Sequence, residues 1–197
     1  MKEQMEGTKV QDFRPELTYT SFEQHMHKAK TPKQRAHLET VVHHSKGEVL
    51  ANLDMVLPTL ADDPQYHEFG VFGNTLEDTG PKGMTAVRGN YTEMVNNGSY
   101  VIESKKNRVV VADDEIVTEG TFRQILTAEV AQKMGFIDDH SPASSHYLLS
   151  ARTIVFWDFD QDGKAKGEDR YVLNHKIEPL ADEDLPEDYP AQFRAQR

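Results

Sequence analysis

The segment between residues 100 and 127 constrains the fold most, because two long runs that favour β-strands meet there at an acidic corner. β-branched and aromatic residues dominate both runs, and Asp113-Asp114 between them is typical of a turn. We therefore predict two long antiparallel strands. Gly120, in the middle of the second strand, indicates a bend or a bulge that curves the sheet. A curved sheet needs protein against its concave face, and the helical segments upstream are the candidates.

Three helical segments are predicted before these strands. Thr31 and Pro32 predict the start of the first, with Thr as the N-cap and Pro at the first helical position. A second helical piece is predicted over residues 51–60 and a third over residues 81–96, the third being closed at Gly98.

Strands dominate the second half of the chain. A short strand is predicted over residues 66–72, and two further strands over residues 147–159 and 166–173, joined by a turn rich in Asp and Gly. Helices come first and most strands follow, so the predicted fold class is α+β, with a curved antiparallel sheet around the N-terminal helices.

Length and composition limit the architecture and the classes of function. The 197 residues fit one domain with tails, and we predict an N-terminal arm (1–30), a domain (31–175) and an acidic C-terminal tail (176–197). A net charge of −11 argues against nucleic acid or an anionic membrane as a partner. The absence of cysteine excludes disulfides, thiolate metal sites and a cysteine nucleophile. No apolar leader or membrane-length run is present, so we expect a cytoplasmic protein.

Four segments, taken in order, resemble the nuclear transport factor 2-like superfamily, which includes polyketide-cyclase-like and dehydratase-like proteins. They read LANLDMVLPTLADDPQYHEF, GPKGMTAVRGNYTEMVNNG, VVVADDEIVTEGTF and IVFWDFDQDGKAKGEDRYV, and the resemblance covers residues 32 to 175. It implies a cone formed by a curved sheet wrapped around helices, with a deep apolar pocket inside. It also implies either cofactor-free enzymes, such as dehydratases, isomerases and cyclases, or proteins that only bind a ligand.

The candidate catalytic residues are His44, Glu48 and Tyr66. His44 and Glu48 are one helical turn apart, so the carboxylate could orient the imidazole for proton transfer; the alternative is an exposed salt bridge. A buried Tyr66 could stabilise negative charge on an oxygen, and Glu68 would then face the same side; the alternative is a core tyrosine. The resemblance places His44 and Tyr66 near two pocket tyrosines of dehydratase-like relatives. It places their catalytic histidine near Leu126, which cannot ionise.

The candidate substrate-binding residues are mostly aromatic or apolar, and each of these could equally be ordinary core. Glu103, inside a predicted strand, would have a raised pKa on a concave apolar face and could act as an acid or a base; the alternative is a surface position. The complete set is Tyr91, Met94, Glu103, Phe122 and Trp157.

No metal ion and no cofactor are predicted. Residues 158–163 nearly match a calcium-binding loop, but Asp169 stands at position 12 where the loop needs Glu, Glu168 falls at position 11, and the flanks read as strands. A hairpin turn accounts for the same residues. The motifs of zinc proteases, nucleotide-binding loops and serine hydrolases are absent from the sequence.

Taken together, the sequence predicts a cofactor-independent lyase acting on a small hydrophobic, hydroxylated molecule, aromatic or polyketide-like. The reaction would be an acid–base elimination that releases water or a one-carbon fragment. An isomerase or cyclase with the same pocket, or a non-catalytic ligand-binding or accessory protein, are the alternatives. A sheet face carrying Val117, Thr121 and Ile125 predicts a homo-oligomer, a dimer or trimer.

Overall fold

The computed structural model describes residues 10–70, 77–138 and 140–194. Its α-helices are α1 (Leu17–Glu23), α2 (Pro32–Val49), α3 (Leu53–Val56), α4 (Gly83–Asn97) and α5 (Ala128–Lys133). Its strands are β1 (His67–Phe69), β2 (Ile102–Val111), β3 (Glu115–Thr127), β4 (His146–Phe159) and β5 (Ala165–Leu180). Short 3-10 helices cover Val10–Asp12, Met26–Lys28, Leu57–Thr59, Asp182–Asp184 and Ala191–Phe193.

The five strands form one curved sheet that does not close, in the order β1-β5-β4-β3-β2. All neighbours are antiparallel except β1, which pairs in parallel with β5 at one edge. The predicted α+β class is thereby confirmed. β5 continues to Leu180, so residues 176–180, which we had placed in the tail, belong to the sheet. The predicted strand over residues 66–72 is shorter, and its positions 71 and 72 lie outside the described residues.

The helix boundaries follow the capping signals in the sequence. Thr31 caps α2 by accepting a hydrogen bond from the backbone N–H of Gln34 at 3.2 Å, and Pro32 is the first helical residue. Gly98 ends α4 with a φ of 81°, a left-handed conformation that glycine adopts without strain. Both predictions are confirmed. The second predicted helix is split, because Pro58 lies in a 3-10 turn that follows α3.

A β-bulge in β2 lies opposite Gly120, as the sequence predicted. The register between the two strands shifts at Asn107, and a Cβ atom on Gly120 would lie only 2.0 Å from the carbonyl oxygen of Lys105. The bulge also changes which side chains face inwards. Lys106 precedes the bulge and lines the interior cavity. Without the bulge, the next even-numbered positions would also face the cavity, but Val109 is buried on that side instead.

Three apolar clusters of described residues pack on the sheet, and the smallest consists of Leu126, Val130, Ala131, Tyr147 and Leu149 beside α5. The inner cluster joins α2 and α4 to the sheet, and includes Leu38, Val87, Ile116 and Trp157. The outer cluster consists of Val10, Phe13, Val101, Ile125, Leu148, Leu180, Leu185 and Tyr189. Ile125, expected on an exposed face, has 0% exposure, because residues from both ends of the chain pack over it. Among the described residues, none of the helices has the length and apolar character needed to cross a membrane.

Candidate active site

A cavity of about 350 Å³ lies between the helices and the inner face of the sheet. Its wall is more polar than the apolar pocket that the resemblance implied. The ionisable and hydroxyl-bearing residues that line it include Glu48 from α2, Tyr66, Glu68, Tyr91 from α4, Lys106 from β2, and Glu168 and Arg170 from β5.

His44 is completely buried and lies behind this wall. The hydroxyl of Thr59 donates to the carbonyl oxygen of Val56 at 2.6 Å, so its oxygen accepts the hydrogen bond from Nδ1 of His44 at 2.8 Å. The proton of the neutral imidazole is therefore on Nδ1, and Nε2 accepts a hydrogen bond from the hydroxyl of Tyr91, also at 2.8 Å. Burial lowers the pKa of His44 to about 3, so this ring stays neutral and orients Tyr91.

Tyr66 and Tyr91 extend this chain of hydrogen bonds into the cavity. Their hydroxyl oxygens are 3.0 Å apart, and Tyr66 donates to Tyr91 when Tyr91 donates to His44. Burial raises the pKa of both tyrosines, which keeps both hydroxyls protonated. Tyr66 is held in place by its backbone N–H, which donates to the carbonyl oxygen of Pro81 at 3.1 Å. Tyr91 also lies 3.2 Å from Oε1 of Glu48, and so connects the imidazole to a carboxyl group.

Glu48 and Glu168 form a pair of carboxyl groups facing the cavity. An oxygen of each lies 3.7–3.8 Å from Nε2 of His44, and one ligand atom from each of the three residues falls within 4.8 Å of the others. Burial raises the pKa of Glu48 to about 7. Burial, and then repulsion from Glu48, raises the pKa of Glu168 to about 8. Near neutral pH the pair therefore holds about one proton, so it offers both an acid and a base.

Lys106 and Arg170 are cationic side chains that line the same cavity. Lys106 donates to the backbone carbonyl oxygens of Thr18 at 3.2 Å and Ser104 at 3.1 Å, and burial lowers its pKa to about 8. Arg170 forms a salt bridge of 2.7 Å with Glu68. Both cations attract the carboxyl pair, which limits the rise in its pKa values.

Most of the predicted site residues meet at this cavity. Glu48, Tyr66, Tyr91, Met94, Phe122 and Trp157 all line it. Glu68 faces the same side as Tyr66, as strand alternation predicted. His44 touches Tyr91 but is not among the lining residues.

Glu103 lies elsewhere. It is buried, and its carboxylate accepts hydrogen bonds from the side chain of Arg123 at 2.5 and 2.8 Å and from the backbone N–H of Arg14 at 2.6 Å. This ion pair joins β2 and β3 to the N-terminal arm, and Glu103 is not one of the residues found lining the cavity.

Among the cavity residues that the sequence analysis did not predict are Lys106, Glu168 and Arg170. The alternation of Glu168, Arg170 and Val172 along one run was a usable signal, but Glu168 was considered only as part of a calcium loop. That loop is a hairpin turn, in which a carboxylate oxygen of Asp160 accepts the backbone N–H groups of Asp162 and Lys164 at 2.9 Å.

Among the described residues, one group of side chains is close enough to bind a divalent cation, namely His44, Glu48 and Glu168. The hydroxyl of Tyr91 occupies the side of Nε2 that a metal ion would need. The positive charges of Lys106 and Arg170 repel a metal cation in this space. The arrangement is therefore better suited to proton transfer than to holding a metal.

No family model matches the chain, and no curated protein matches it. Solved structures do. A protein assigned as a SnoaL-like polyketide cyclase from Jannaschia sp. CCS1 matches with a TM-score of 0.54 and 12% identity, over 74% of this chain and 90% of that one. An LEH-like epoxide hydrolase from M. tuberculosis matches with a TM-score of 0.52 and 14% identity, over 72% and 85% of the two chains.

A third solved structure, Bal32a from a soil-derived mobile gene cassette, matches with a TM-score of 0.51 and 11% identity, over 72% of this chain and 92% of that one. Identities this low show a common fold and no common activity. The predicted resemblance is confirmed at that level: the chain has the α+β cone fold of the SnoaL-like and nuclear transport factor 2-like proteins.

Proposed function

We propose that this protein is a cofactor-independent enzyme that removes and returns protons on a small hydroxylated carbonyl compound, aromatic or polyketide-like. The observation that carries the proposal is the Glu48–Glu168 pair, which faces a cavity of suitable size and shares about one proton near neutral pH. That two structural relatives are named as a polyketide cyclase and an epoxide hydrolase is consistent with such a cavity.

An elimination uses both states of the pair in one step. Glu48, whose Oε1 lies 3.2 Å from the hydroxyl oxygen of Tyr91, is the base that takes a proton from the carbon beside the carbonyl group. Glu168, whose pKa is raised by burial and by repulsion from Glu48, is the acid that gives its proton to the departing hydroxyl group, which leaves as water. A carbon–carbon double bond forms, and the pair ends with the same number of protons. Release of a one-carbon fragment would use the same acid to protonate the carbon left behind.

An isomerase or cyclase is the nearest alternative, because the same pair can move a proton between two carbons without loss of water. A protein that binds a ligand and does no chemistry is the alternative from a different class. A lyase, an isomerase or cyclase, and a ligand-binding protein differ in whether the substrate exchanges hydrogen with the solvent and whether it loses mass.

The test is to incubate the protein with a panel of aromatic β-hydroxy ketones in heavy water and to follow the products by mass spectrometry and NMR. We expect loss of one water mass, and a reduction in rate of about 10²–10⁴ in Glu48→Gln and in Glu168→Gln. Glu39→Gln is the matched control, since Glu39 is an exposed residue of the same helix paired only loosely with Arg35 at 3.7 Å.

The rate should follow a bell-shaped pH profile with its maximum between the two pKa values, at about pH 7–8. Deuterium uptake without loss of water would indicate an isomerase and contradict a lyase. No uptake and no loss of mass with any member of the panel, despite measurable binding, would reject catalysis.

A further inference from the structure

Two N–H groups at the cavity are left without a hydrogen-bond partner. Trp157 is only 3% exposed and lines the cavity, and its Nε1 has no acceptor among the described residues. Arg170 also lines the cavity, and its buried Nε has no hydrogen-bond acceptor among the described residues, although another nitrogen of the same guanidinium binds Glu68. Buried donors are nearly always paired in folded proteins, so two unpaired ones at a single cavity need an explanation.

The strand register places these two groups side by side. Val155 of β4 pairs with Arg170 of β5, and Trp157 pairs with Glu168. Trp157 and Arg170 are therefore diagonal neighbours on one face of the sheet, at a separation of about 7–8 Å or less between their Cβ atoms. Both side chains are long, so a single small molecule can reach both N–H groups.

Both groups can only donate hydrogen bonds, so their partner must be an acceptor. The indole of Trp157 has one N–H and no lone pair to offer, and the guanidinium of Arg170 likewise accepts nothing. Glu168, the proposed acid, is the cross-strand partner of Trp157 and has Arg170 two residues further along its own strand. An oxygen held by the two donors is thus adjacent to the group that supplies the proton.

We propose that Nε1 of Trp157 and Nε of Arg170 bind the carbonyl oxygen of the substrate and stabilise the negative charge that develops there when the neighbouring carbon loses its proton. This inference rests on the proposed function and deepens it, because it restricts the substrate to enolisable ketones, aldehydes or esters. The electrons of the broken carbon–hydrogen bond move into the new double bond and onto this oxygen, where the two donors receive the charge.

The charges at the cavity favour a neutral carbonyl group over a permanent anion such as a carboxylate. The positive charge of Arg170 is already paired with Glu68 at 2.7 Å. Glu48 and Glu168 face the same space, and once they ionise their repulsion of an anion offsets the attraction that Lys106 exerts in the same cavity. A carbonyl oxygen meets no such repulsion and carries charge only during the reaction.

The test measures binding of three unreactive ligands of similar size: 1-tetralone, which has the carbonyl group, tetralin, which lacks it, and 1-naphthoate, which is an anion. Trp157 is the only tryptophan of the chain, so its fluorescence reports occupation of the cavity directly, and calorimetry serves for variants without it. We expect 1-tetralone to bind about tenfold more tightly than tetralin. In Trp157→Phe and in Arg170→Lys this preference should fall to about threefold or less, while tetralin still binds.

Tetralin also reports whether each variant is folded, since its binding depends on the shape of the cavity alone. A preference for 1-tetralone that survives in both variants would overturn the inference, and so would tighter binding of 1-naphthoate than of 1-tetralone at about pH 8. None of these ligands can lose water, so the result does not depend on turnover. If the preference depends on Trp157 while no β-hydroxy ketone reacts, the proposed function fails and the carbonyl site remains.

Discussion

Glu168 is a single side chain that affects the stability of this molecule and, in the proposed function, its chemistry. Its carboxyl group is mostly buried, with 16% of the side chain exposed, beside a second carboxyl group from Glu48. The folded state holds a proton on this residue more tightly than the unfolded chain does, since the pKa is raised from 4.5 to about 8. Unfolding therefore releases a proton between these pH values, and the contribution of this site to stability falls as the pH rises through that window.

We predict that Glu168→Gln raises the free energy of unfolding by about 1–2 kcal/mol at about pH 8, a shift in Tm of roughly 2–8 °C, because the amide carries no charge to bury. Near pH 5 the difference should be small, since the native carboxyl group is then protonated. Thermal unfolding at both pH values measures it, with Glu39→Gln as the control. A variant that is less stable than the parent at the higher pH would contradict the assigned charge state.

His44 illustrates the limit of inference from spacing. The sequence correctly brought His44 and Glu48 to one face of a helix, and the structure places their side chains 3.8 Å apart. Spacing could not show that Thr59, 15 residues away, accepts a hydrogen bond from Nδ1 of His44, or that burial keeps the ring neutral. The imidazole therefore positions Tyr91, and in the proposed function the carboxyl groups move the proton that the sequence analysis had assigned to His44.

At the level of whole elements, helix ends were predictable and strand faces were not. Thr31 and Gly98 mark helix boundaries through local chemistry, which a sequence displays directly. Strand faces depend on register, and a single bulge reverses the alternation beyond it. Register shifts occur in β2 at Asn107 and in β5 near Lys166 and Leu173, so alternation relates Glu168 to Arg170 within one run but does not extend beyond either shift.

We predict that Gly120→Ala destabilises the protein by about 1–3 kcal/mol, because the new methyl group would overlap the carbonyl oxygen of Lys105 in the bulge opposite. Thermal or urea unfolding measures the loss. Gly89→Ala is the matched control: a Cβ atom there meets nothing within 4 Å, and alanine in a helix should be neutral or stabilising by up to about 1 kcal/mol. Equal stability of the two variants would show that the bulge tolerates a side chain and adapts.

At the scale of the whole molecule, the two ends of the described chain cover the outer face of the sheet. Val10 and Phe13 from one end and Leu185 and Tyr189 from the other pack over Ile125. The sequence marked this face as apolar but could not show that the same chain covers part of it. The predicted self-association would therefore use the rest of that face, where Val117 is half-buried and Thr121 is exposed.

We predict that removing residues 181–197 lowers Tm and makes the protein self-associate, because Ile125 and Leu148 lose part of their apolar cover. Thermal unfolding and light scattering after size-exclusion chromatography measure both effects. Leu185→Ala removes one buried side chain and leaves the other residues of the segment in place. It should lower the free energy of unfolding by about 2–3 kcal/mol without causing self-association. A shortened chain that is as stable and as uniform in mass as the parent would refute a role for these residues in covering the sheet.

The meeting of the two chain ends has a practical consequence for engineering. Because Val10 and Phe193 belong to the same apolar cluster, a peptide linker could join residue 194 to residue 10, and new termini could be opened at Gln161, in the exposed hairpin turn between β4 and β5. Such a circular permutant would retain every side chain of the cavity, since none of them lies at either junction.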